Sequence, residues 1–70
     1  LALFNSRYDI GDPIEVFNMK GYIRHVLHTN NKVRYNIFLL IEETTIYNVD
    51  SHFVEPRQGD KFNFGKDNNS

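Results

Sequence analysis

Val33-Arg34-Tyr35-Asn36-Ile37-Phe38-Leu39-Leu40-Ile41 decides the fold. Its odd-numbered members are all apolar, and a period of two puts them on one face of a β-strand. The alternate face starts polar with Arg34 and Asn36, then turns apolar at Phe38 and Leu40. Ile37, Leu39 and Ile41 are therefore assigned to a core. Phe38 and Leu40 need a second cover, because a bare apolar face invites association. Two covers are candidates. One is internal, from Phe62 and Phe64 or from Leu1-Ala2-Leu3-Phe4. The other is a partner protein or a second copy, which extends the partner set to self-association through this third strand.

Strand signals continue on both sides. Thr29-Asn30-Asn31-Lys32 is a hairpin loop, since Asn tolerates the left-handed backbone of tight turns. Residues 22–29 form the second strand, Asn18-Met19-Lys20-Gly21 the turn before it, and Ile14-Glu15-Val16-Phe17 the first strand. Gly11-Asp12-Pro13 opens that strand, with Pro placed where no ladder donor is required. Downstream, Glu42-Glu43-Thr44 turns the chain into a fourth strand at 45–49. Residues 50–53 suit a 3₁₀ turn, because Asp50 and Ser51 accept bonds from following N–H groups. Val54-Glu55-Pro56 is a short last strand. Lys61-Phe62-Asn63-Phe64 suits a brief edge strand, and the polar residues 65–70 are expected to be disordered. No stretch keeps apolar residues at i, i+3, i+4 and i+7 for three turns. The chain is all-β.

A chain of 70 residues makes one domain. At that size it buries roughly 60% of its unfolded surface, so stability rests on an efficient core. The absence of cysteine excludes disulfides and thiolate metal sites and fits a reducing, intracellular setting. No apolar run approaches the ~20 residues of a membrane span, so a soluble chain with no membrane partner is expected. The net charge of −1 argues against a domain-wide phosphate footprint, while leaving room for a local basic strip. Abundant Asn, Ile, Tyr, Phe and Lys fit an AT-rich genome, viral or low-GC bacterial.

The runs Tyr8-Asp9-Ile10-Gly11-Asp12-Pro13-Ile14, Lys20-Gly21-Tyr22-Ile23, Tyr35-Asn36-Ile37, Thr45-Ile46-Tyr47-Asn48-Val49 and Phe53-Val54-Glu55-Pro56 together resemble SH3-like barrels of the Tudor and KOW type. The resemblance implies a five-stranded barrel over residues 8–57. It further implies an N-terminal arm at 1–7, a short 3₁₀ turn leading into the last strand, and an expected flexible tail at 58–70. The expected core is Ile10, Ile14, Val16, Ile23, Leu27, Tyr35, Ile37, Leu39, Ile46, Val49, Phe53 and Val54.

Catalytic constellations are poor. His25 and His28, three apart on a strand, point to opposite faces and do not share a metal. His52 beside Asp50 has no accompanying nucleophile, and Asp50 is better used as a turn cap. Glu42 and Glu43 are adjacent and diverge, and the four glycines are scattered rather than gathered in a phosphate loop. No enzyme activity, metal or cofactor is expected.

Binding is the better reading. Tudor-type barrels cage methylated Lys or Arg between aromatic rings. By that resemblance Phe17, Met19 and Tyr22 form one wall and Tyr47 begins the other, although Glu42 to Thr45 adds no aromatic. The expected protein-binding residues are Phe38, Leu40, Phe17, Tyr22 and Tyr47, on a small regulator, adaptor or assembly component. The alternative follows KOW-type barrels and uses Lys20, Arg24, Lys32 and Arg34 on nucleic acid.

Overall fold

The computed structural model describes residues 7–64. Its elements are β1 (Pro13–Val16), β2 (Met19–Thr29), β3 (Lys32–Leu39), β4 (Thr44–Asp50), a 3₁₀ turn (Ser51–Phe53) and β5 (Val54–Pro56). All strand pairs are antiparallel, in the order β4-β3-β2-β1-β5. The sheet is open: β4 and β5 are its edges and are not hydrogen-bonded to each other. Among the described residues, no helix is long and apolar enough to cross a membrane.

Two hairpins are closed by two-residue turns. Phe17-Asn18 joins β1 to β2 and Asn30-Asn31 joins β2 to β3, and all four residues have positive φ. That is the left-handed pair whose twist matches flanking strands. The first turn is therefore Phe17-Asn18, not Asn18 to Gly21, and Met19 to Gly21 already lie in β2. The 3₁₀ turn falls where the sequence places it. Asp50 caps it, its carboxylate accepting the His52 N–H at 2.9 Å.

The core is Tyr8, Ile14, Val16, Ile23, Tyr35, Ile37, Leu39, Val49 and Val54, with Val26 and Ile46 packed against it. Each fully buried aliphatic side chain contributes about 1.5–3 kcal/mol. Tyr35 is wholly buried, and its hydroxyl accepts the Tyr8 N–H at 3.2 Å instead of meeting water.

Four expected core positions are corrected. Ile10 stands half exposed in the turn closed by the Asp12 N–H to Asp9 carbonyl bond. Ile41 is 85% exposed because β3 ends at Leu39 and Ile41 rides the following turn. Phe53 sits on the 3₁₀ turn and faces outward. Leu27 loses its place to Val26 through a bulge. Arg24 is an extra residue between the pairs Ile23–Ile37 and His25–Asn36, so the parity of β2 flips beyond it. Val26 then lies opposite buried Tyr35, while Leu27 lies opposite Arg34.

Candidate protein-binding surface

The outer face of the sheet carries Tyr22 on β2, directly opposite Phe38 on β3. This is the apolar face that the sequence leaves in need of a cover, and the cover is internal. Phe62 stacks on Tyr22 with ring centroids 5.1 Å apart. Phe64 meets Phe38 edge-on at 6.2 Å, and Phe62 and Phe64 touch each other at 4.6 Å. Two guanidinium groups flank the cluster: Arg57 lies 5.0 Å from the Tyr22 ring centre and Arg24 lies 4.9 Å from that of Phe64. Arg57 also donates to the Ile14 and Gly21 carbonyls at 3.1 and 2.9 Å.

Residues 61–64 are not the edge strand that their alternation suggests. The Phe62 N–H donates to the Gly11 carbonyl at 2.8 Å, but no ladder forms. Residues 1–6 and 65–70, where an apolar arm and a polar tail end were expected, lie outside the described residues. Phe38 and Leu40 are half-buried rather than open, and Leu40 falls in the turn after β3, its N–H bonded to the Lys20 carbonyl. Tyr22 is half-buried beneath Phe62 and Arg57. Since β3 pairs with β2 and β4 on its two sides, its backbone has no free edge for self-association.

A different pair of rings is left open. Phe17, on the first tight turn, is 56% exposed, and Phe53, on the 3₁₀ turn, is 54% exposed. Their centroids are 5.3 Å apart. The pairing of Val16 with Val54 brings these neighbours together across the β1–β5 ladder. Phe17 also has φ +51°, a backbone region that bulky residues avoid. Tyr47 is 69% exposed on edge strand β4, and among the described residues it touches no other ring. Among the described residues no ring contact joins Phe17 or Tyr22 to Tyr47, and Met19 packs against the core. No match to this chain was found among protein-family models, curated proteins or solved structures.

The candidate cations are spread along the β2–β3 hairpin, among acids and a ring. Lys20 lies near the start of β2 and Lys32 at the opposite end of the same hairpin. Lys20 is opposite Glu15, Arg34 is opposite Asp50, and Arg24 is turned onto Phe64. Cross-strand pairs of opposite charge stabilise a sheet modestly and leave little net field for a phosphate backbone. His52 sits with its Nδ1 2.6 Å from Asp50 Oδ1, on a side chain that is mostly exposed. The Asp50 carboxyl is held below its ordinary value, chiefly by the His52 backbone N–H and then by the His52 ring. Capping of the turn accounts for this pair. Among the described residues, no group of three or more His, Cys, Asp or Glu side chains is placed to hold a metal ion.

Phe53 was missed as a surface residue because an apolar residue in a short turn reads as core. Phe17 was among the expected binding residues, but its partnership with Phe53 shows only when β1 and β5 pair.

Proposed function

We propose that this chain is a non-enzymatic protein-binding module of SH3-like type, a small regulator, adaptor or assembly component. Its contact surface is centred on the Phe17–Phe53 pair. The observation that carries this reading is Phe17 itself: a large ring held more than half exposed on a left-handed backbone. Left-handed backbone costs an L-residue about 1–2 kcal/mol, whereas an aromatic contact returns about 0.5–1.5 kcal/mol. Asn at position 17 would form the same turn with less strain, so stability alone does not account for Phe there. Strain of this kind gathers at functional sites.

The 3₁₀ turn leading into a short last strand supports the SH3-like kinship, as does the succession of tight antiparallel hairpins. The dispersal of Lys20, Arg24, Lys32 and Arg34 among acids and rings favours a protein over a nucleic acid as partner. Selection of a peptide library on the immobilised chain, with counter-selection on a Phe17→Asn variant, tests the reading. Apolar peptides that lose about ten-fold or more in affinity for Phe17→Asn support it. A selection in which every bound peptide ignores the substitution overturns it.

A further inference from the structure

The segment after β5 lies against the outer face of the sheet. It brings a cation and two aromatic rings to the outer face in the order Lys61-Phe62-Asn63-Phe64. Lys61 lies 3.4 Å from Asp12 and 3.7 Å from Asp9, Phe62 takes Tyr22, and Phe64 takes Phe38 and Arg24. The backbones approach closely at Gly11, where a Cβ would fall 2.5 Å from the Phe62 carbonyl oxygen.

The attachment is shallow. Among the described residues, the Phe62–Gly11 bond is the one backbone–backbone hydrogen bond joining 58–64 to the sheet. The Lys61 ammonium is mostly exposed, and ion pairs of an exposed side chain contribute about 0–1 kcal/mol. Phe62 itself remains 44% exposed. Residues 58–60 are exposed, and Gly59 has φ +150°, so the connection is suited to hinging. Segments with few buried contacts open well below the free energy of global unfolding.

We propose that the Tyr22–Phe38 face is a recognition surface for an extended basic–aromatic–x–aromatic segment. The chain's own Lys61 to Phe64 occupies it in cis, and a partner protein's segment of the same chemistry takes it in trans. The occupant seen in the structure defines what the face accepts. Opening uncovers Tyr22 and Phe38 together, an apolar patch that a competing segment then closes. Tethering gives the strap an effective concentration on the order of millimolar, so it acts as an autoinhibitor that weak partners do not displace. The proposal is independent of the Phe17–Phe53 surface.

The probe is a synthetic peptide with the sequence of residues 58–64 and blocked ends. It is titrated into the full chain and into a Phe62→Ala/Phe64→Ala variant, and followed by two-dimensional amide NMR. The peptide is expected to shift Gly11, Tyr22 and Phe38 in the double variant. It should bind the wild-type chain more weakly by the reciprocal of the open fraction. Amide exchange at Phe62 in the wild-type chain reads that fraction directly and needs no variant to fold. A dispersed double-variant spectrum that the peptide leaves unmoved overturns the proposal. So does a Phe62 amide as protected as those of the core. A wild-type dimer formed with no peptide binding assigns the face to a second copy, and likewise overturns it.

Discussion

The side-chain oxygen of Asn36 on β3 accepts the backbone N–H of Asn48 on β4 at 3.0 Å. It does so where β4 carries one residue too many: Tyr47 and Asn48 together oppose Asn36 between the pairs Tyr35–Val49 and Ile37–Ile46. A bulge leaves one residue unpaired in the ladder, and Asn48 takes it up with φ +57°. Asn36→Ala is expected to cost about 0.5–1.5 kcal/mol, the net value of one hydrogen bond. Asn36→Asp, which keeps the acceptor, should cost less. Urea unfolding of the two variants checks the order.

Gly11 is the backbone contact between the sheet and the strap. Its φ of +93° and the 2.5 Å approach of any added Cβ to the Phe62 carbonyl make two independent objections to Ala. Gly11→Ala is expected to lose about 1–3 kcal/mol, the scale of a residue forced into a sparsely populated backbone region. It should also free the Phe62 ring from Tyr22. Tyr22 and Phe62 ring resonances that hold their wild-type positions in this variant would contradict the role given to Gly11.

Phe17→Asn should leave stability within about 1 kcal/mol of wild type, because relief of left-handed strain offsets the lost contact with Phe53. A buried Phe replaced by a smaller residue loses about 3–5 kcal/mol, so the two cases separate cleanly. A thermal midpoint that falls as far as for a core substitution would show Phe17 to be structural.

Asp50 titrates below its ordinary value of 3.8, with the His52 backbone N–H as the main cause. The folded chain therefore holds fewer protons than the unfolded one in this window, and stability rises with pH. The Asp50 contribution is fully present above 3.8 and fades as pH falls through the lower folded value. Wild type should exceed Asp50→Asn in thermal midpoint at neutral pH, and the gap should close on acidification to about pH 2. A gap that stays constant over that range would assign the effect to something other than the cap.

Most of the strand plan was legible in the sequence, because alternation and turn chemistry act over a few residues. Asn30-Asn31 could be placed as a hairpin, and Asp50 as the cap of a 3₁₀ turn, without knowing what lay opposite them. The parity of β2 beyond Ile23 was not legible. The Arg24 bulge is decided by which register lets Val26 meet Tyr35, and that is a contact between strands. The candidate site divides in the same way. Phe38 was recognisable as a ring needing cover, and Phe62 and Phe64 as rings able to give it.

Composition and local pattern by themselves determined an all-β chain with tight hairpins, a capped turn and a two-sided apolar third strand. Alternation also placed Ile14, Val16, Ile23, Tyr35, Ile37, Leu39, Val49 and Val54 in the core, and the tertiary structure decided the rest. Ile10, Ile41 and Phe53 look like core by hydropathy, but each sits on a turn whose backbone geometry aims it outward. Exposure of Phe17 beside Phe53, and closure of Tyr22 and Phe38 beneath the strap, depend on long-range pairing. A hydrophobic residue specifies that it be covered, and only the register of the strands specifies by what.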